Sequence, residues 1–220
     1  MADHLDSATG TIESVNVGLP RVVQVNGHEV LTAIWKSPVA GRVPLHGVNL
    51  RGDDQADREV HGGPDKAVYA YAAEDTETWE AELGKPLGPG TFGENLTTRG
   101  IPVSEAVIGE RWAIGSALLE VSQPRLPCFK LGLRMGDPRF PKRFAAAGRP
   151  GAYLRIIREG DIGASDTVRV VSRPAHAVTS ALVSRAILRE PALLAHALQA
   201  TELAPELRAW MAERAEHSPR

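Results

Sequence analysis

Three runs of residues carry side chains whose types and spacing could do chemistry. The first is Gln123-Pro124-Arg125-Leu126-Pro127-Cys128, which holds the only cysteine of the chain. Each proline fixes its own φ and biases the residue before it towards extended backbone, so the thiol is expected on a stiff mount. Arg125 is near enough in sequence to stand beside it and favour a thiolate. A thiolate so mounted can attack an electrophile or ligate a soft metal. The plain alternative is a buried, inert cysteine, the usual fate of a free thiol.

The second run spans residues 53–66, Asp-Asp-Gln-Ala-Asp-Arg-Glu-Val-His-Gly-Gly-Pro-Asp-Lys. Its Gly62-Gly63 pair lets backbone amides approach and cradle an anion. His61 is a candidate acid, donor or structural hydrogen-bonder, and Lys66 a point charge for a phosphate. The third, Gly88-Pro89-Gly90-Thr91-Phe92-Gly93-Glu94-Asn95-Leu96-Thr97-Thr98, offers a carboxylate, an amide and hydroxyls that could read a heterocycle's edges. The same residue set also builds an ordinary turn between core strands. Arg149 and Arg155 follow; they could face an anion, although surface ion pairing is the commoner fate of arginine. One cysteine with scattered histidines does not match structural zinc spacing, and no phosphate loop ending in Lys-Ser or Lys-Thr is present.

These runs need elements to position them. Residues 11–17, 21–25, 30–35 and 43–50 are short, mostly β-branched stretches, and Asn26-Gly27 signals a tight hairpin. Residues 67–71, 111–114, 117–121, 153–158 and 168–172 read as further strands. Residues 76–83 read as a helix capped by Asp75 and closed by Gly84. Shorter helices are expected over 128–134 and 139–147. After Pro174 the pattern changes to three amphipathic helices, starting near Thr179 or Ser180, at Pro191 and at Pro205. The expected fold class is mainly β with helices (α+β): a loose stretch over 1–10, a β-barrel-like body over 11–173 and a three-helix segment over 174–220.

With 43% hydrophobic residues and a net charge of −2, the chain suits a packed globular body and gives no sign of a generic nucleic-acid binder. No apolar run reaches the ~18 residues of a membrane span. The acidic opening Met-Ala-Asp-His-Leu-Asp shows no secretory signal, and one cysteine suits a reducing cytoplasm.

Taken in order, His-Gly-Gly with Lys, Phe-Gly-Glu-Asn-Leu, Pro-Arg-x-Pro-Cys and Gly-x-Tyr-x-Arg resemble the MOSC family, named for the C-terminal domain of molybdenum cofactor sulfurases. The helical tail is similar to that of its YiiM-like branch. This resemblance implies a barrel-like body that binds the molybdenum cofactor, with Cys128 as metal ligand and catalytic residue. It implies that His61, Lys66, Glu94, Asn95 and Arg125 hold the pterin and its phosphate. The implied activity is reduction of N-hydroxylated small molecules such as hydroxylamino bases. Electrons would come from a separate electron-transfer protein, because no flavin, nicotinamide or iron–sulfur motif is visible. A homodimer is compatible with the resemblance. Two other functions use the same residues: a sulfur carrier with a Cys128 persulfide, and a non-catalytic binding module with the tail as contact surface.

Overall fold

The computed structural model describes residues 9–56 and 62–217. Its strands are β1 (Thr9–Val17), β2 (Arg21–Val25), β3 (His28–Thr32), β4 (Ser37–Pro38), β5 (Val43–His46), β6 (Asn49–Leu50), β7 (Val68–Ala72), β8 (Leu96–Arg99), β9 (Arg111–Ile114), β10 (Ala117–Gln123), β11 (Ala152–Arg158), β12 (Gly160–Ile162) and β13 (Thr167–Ser172). The helices are α1 (Ala73–Leu83), α2 (Phe129–Met135), α3 (Phe140–Ala147), α4 (Ser180–Leu188), α5 (Leu194–Ala197) and α6 (Pro205–Glu216). Short 3-10 turns add Pro64–Lys66, Val103–Glu105 and Pro191–Leu193.

Seven strands close a barrel in the order β13-β9-β10-β11-β7-β8-β1, with β1 pairing back onto β13 and β4 extending from β1. Closure removes the open edges that a flat sheet would expose. Every neighbouring pair in the barrel is antiparallel except β7 with β8. β2 and β3 form a separate hairpin whose tip, Asn26-Gly27, has positive φ at both residues, as the dipeptide predicts. β5, β6 and β12 make a small third sheet.

The two faces of β7 explain the layering. All five residues of Val68-Tyr69-Ala70-Tyr71-Ala72 are buried. Period-two alternation sends Val68, Ala70 and Ala72 into the barrel core. Tyr69 and Tyr71 point the other way, into an aromatic cluster with Trp79 of α1, Phe92, Leu131 of α2, and Phe140 and Phe144 of α3. The tail joins the barrel's own core through Val183, Ala186, Leu194, Ala197 and Met211.

Local details depart from the sequence expectations. α1 begins at Ala73 with Ala72 at its N-cap, so Asp75 lies in the first turn instead of capping it; Ser104 Oγ donates to Asp75 at 3.2 Å. Gly84 does close α1 in the left-handed conformation. The expected 43–50 strand is a tight pair, β5 and β6, and β8 and β12 stand where no strand was expected. Thr179 caps α4, accepting from the Leu182 amide at 3.2 Å.

Candidate functional site

Cys128 sits at the N-cap of α2 in extended backbone (φ −122°), and its carbonyl accepts from the Leu131 amide at 3.0 Å. The preceding prolines hold the approach extended and α2 fixes the exit. The cysteine is half-buried and stands where two cavities meet. An inner chamber of about 120 Å³ lies against the aromatic layer. An outer cleft of about 570 Å³ lies between the Gly62-Gly63 turn and α6. Both share Lys66, Leu126, Cys128 and Tyr153 as wall. The outer cleft falls in the size range of small-molecule sites, about 300–1,000 Å³, whereas the inner chamber alone takes only part of such a ligand.

The inner chamber is electropositive. Lys36, Lys66, Arg125 and Lys130 line it, with Asp53 and Asp54 as the acids. Arg125 is 6% exposed, and its guanidinium lies over the rings of Tyr69 (5.5 Å) and Phe144 (5.4 Å). Among the described residues its Nη1 is buried with no hydrogen-bond partner. Aromatic faces support a cation but do not replace a hydrogen bond, so this nitrogen is an orphan donor in a cavity wall. Burial pushes the Tyr153 phenol upward in pKa, while the positive charge of Arg125 opposes that shift. Tyr153 and Tyr69 are register partners on β11 and β7, with ring centroids 5.1 Å apart.

Lys36 and Asp53 form a buried ion pair, with side chains 8% and 3% exposed. Burial lowers the lysine pKa, and the Asp53 carboxylate opposes that shift. Asp53 also accepts from the Gly18 amide at 2.8 Å and from Asn95 Nδ2 at 2.9 Å. The pair is thus locked in place by three segments distant in sequence.

The glycine-rich run has a different task from the one its composition suggests. Glu94 does not line either cavity; it is 1% exposed. Its carboxylate accepts from the Gly90 amide (2.5 Å), the Phe92 amide (2.9 Å) and Thr97 Oγ1 (2.9 Å). Burial nevertheless raises its pKa, with those hydrogen bonds opposing. At Gly90 (φ +80°) a Cβ would lie 2.6 Å from the Lys36 carbonyl oxygen, and at Gly93 (φ +77°) 2.9 Å from Ile34. Only glycine permits that approach, so the turn packs against residues 34–36 and sets Lys36. Asn95 lines the inner chamber, but its amide is committed: Oδ1 accepts from the Tyr69 amide (3.1 Å), and Nδ2 donates to the Asn16 carbonyl (3.2 Å) and to Asp53. It acts by holding Asp53.

Lys66 ends the Pro64–Lys66 turn and faces both cavities. Gln55 braces this turn, accepting from the Gly63 amide at 2.8 Å and donating to the Lys66 carbonyl at 3.2 Å. Arg155 holds it from below through Asp65 at 2.7 Å, and also pairs with Glu120 at 3.0 Å. Arg149 pairs with Glu82 at 2.9 Å and lies over Trp79. Neither arginine lines the two chambers. His61 lies outside the described residues. The structure therefore brings together Cys128, Lys66, Asn95 and Arg125. Lys36, Gln55, Tyr69, Lys130 and Tyr153 join them without having been predicted as site residues.

The profile of the MOSC domain matches residues 57–169 of the chain. YflK of Bacillus subtilis is 37% identical over 163 residues, covering 74% of each chain. The chain belongs to the MOSC domain family. The crystal structure of YiiM from Geobacillus stearothermophilus superposes with a TM-score of 0.77 at 30% identity, covering 94% of this chain and 99% of that one. The fold, tail included, is that of a YiiM-like MOSC protein. A Gibberella moniliformis protein named "Reductase" is 35% identical over 181 residues, and this chain spans only 32% of its length.

Proposed function

We propose that this protein binds the molybdenum cofactor, with Cys128 as the protein ligand to the metal, and reduces N-hydroxylated small molecules. One observation carries the reading: the chain's single thiol is half-exposed on the wall shared by a cationic inner chamber and a ligand-sized outer cleft. Among the described residues no group of three His, Cys, Asp or Glu could hold a metal ion. A metal beside Cys128 would draw further donors from a pterin dithiolene. The orphan Nη1 of Arg125, with Lys36 and Lys66, suits the cofactor's phosphate. The relative named as a reductase supports the redox assignment.

The bound cofactor would supply the two-electron chemistry. The overall step is R–NHOH + 2e⁻ + 2H⁺ → R–NH₂ + H₂O: the N–O bond breaks, nitrogen gains the electron pair, and oxygen leaves as water. The protein's own residues bind, orient and donate. Lys36, Lys66 and Arg125 fix the anionic end. Tyr153 lines the shared wall with Cys128, and burial raises its phenol pKa further above the neutral range. Leu207 and Trp210 of α6 offer an apolar side to the outer cleft, where a substrate ring would lie.

The test is amine formation from an aryl hydroxylamine by cofactor-loaded protein, driven by a reduced viologen dye. Wild type is expected to turn over, and Cys128→Ser to lose at least a hundredfold. A serine variant that works at the wild-type rate would reject the assignment. A one-sulfur mass gain on Cys128 after incubation with a sulfur donor, without dye-driven turnover, would favour the sulfur-carrier reading instead.

A further inference from the structure

Residues 129–151, which begin directly after Cys128 and form α2, α3 and their flanks, carry six lysines and arginines and a single acid. The segment sums to +5 in a chain whose total is −2, but Lys130 lines the inner chamber and Arg149 pairs with Glu82, so its outward charge is carried by Arg139, Lys142 and Arg143. The lone acid, Asp137, lies 3.7 Å from Arg143 and 3.9 Å from Arg139, so it offsets one charge of several. Arg139, at the N-cap of α3, is 90% exposed, and Lys142 is exposed on that helix. Phe129, 55% exposed, adds a large apolar side chain to the α2–α3 pair. A basic surface with one apolar anchor is the pattern of an electrostatically steered docking site.

What lies beneath this surface gives it a use. The buried stripe of α3, Phe140 and Phe144, packs into the aromatic layer. Phe144 carries the Arg125 guanidinium on its ring, and Arg125 lines the inner chamber. Lys130 of α2 lines that chamber directly. Between the outer face of α3 and the chamber stand the helix itself, about 10–12 Å across, and the Phe144–Arg125 layer beneath it. The outer cleft is walled by α6 and the Gly62–Lys66 turn, and no residue of α2 or α3 lines it.

We propose that the α2–α3 face docks an acidic electron-transfer protein, which delivers electrons through this thin wall while substrate enters from the outer cleft. The inference rests on the redox reading above. Its test has a binding arm that needs no cofactor. Calorimetry with an acidic [2Fe–2S] ferredoxin at low salt is expected to show binding that weakens at least tenfold when salt is raised to physiological strength. The double variant Arg139→Glu/Lys142→Glu should weaken it at least tenfold more, with the melting temperature unchanged. In loaded protein, the same variant should lose ferredoxin-driven turnover and keep viologen-driven turnover. Undiminished ferredoxin binding by the double variant would overturn the docking face. So would equally tight binding of poly(U), which marks a general polyanion surface. Absence of viologen-driven turnover in wild type would strike the redox reading alone and leave the binding result to stand by itself.

Discussion

Arg125 is held in an arrangement that leaves part of its guanidinium unsatisfied among the described residues. Its guanidinium rests on two rings, yet one nitrogen is buried without a partner among the described residues, a defect of about 1–3 kcal/mol. Under the proposed function, an oxygen of the bound anion would complete it. Arg125→Lys keeps the charge and loses the planar fork and the stacking. It should weaken pyrophosphate binding about tenfold, and Arg125→Ala by more, measured by calorimetry on apo protein; unchanged affinity in both would contradict the anion role. The cysteine, Lys66 and Arg125 were legible in sequence because a lone thiol and flanking cations stand out by type. Lys36 and Asp53 were not: they lie 17 residues apart and meet only through the folded turn of residues 88–93. Glu94 was misplaced for a physical reason. A carboxylate in a glycine-rich turn reads the same whether it faces a ligand or curls onto its own amides, and positive φ at Gly90 and Gly93 lets those amides turn inward.

At the scale of elements, the small β5–β6–β12 sheet is fastened to the barrel by Arg42. Its guanidinium bridges Asp161 of β12 (2.7 Å) and Asp166 (3.1 Å), just before β13. Hydrogen bonding to Arg42, then to Ser116, lowers the Asp161 pKa. A carboxylate lowered in the folded state stabilises fully above its unfolded pKa of about 3.9 and loses that contribution as pH falls through the folded value. Arg42→Ala should therefore melt below wild type at pH 7, with the gap narrowing as pH drops below that of free aspartate; a gap independent of pH would refute the clamp. Strands with strong β-branched patterning and the Asn26-Gly27 hairpin were readable from local sequence. β8 was not, because Leu96–Arg99 is four residues long and gains its identity from parallel pairing with β7, which no local pattern encodes. The start of α1 was read too late because Asp75 looks like a cap, while an acid in the first turn also meets the helix dipole.

Across the whole molecule, barrel and tail share one core and jointly frame the site. Met211 of α6 is buried in the barrel's cluster, while Glu206, Leu207 and Trp210 of the same helix line the outer cleft. The tail thus shapes the cavity beside Cys128, and the likeness to YiiM over 94% of the chain includes it. The central claim is that one thiol on this composite wall completes the coordination of a metal brought by a pterin. Molybdenum by mass spectrometry and pterin by fluorescence, on freshly isolated wild type and Cys128→Ser, test it most directly. Wild type should carry near one molybdenum per chain, and the serine variant should lose the metal while some pterin stays in the cationic chamber. Wild-type protein purified from a cofactor-producing host without either component, or a serine variant that keeps molybdenum in full, would contradict it.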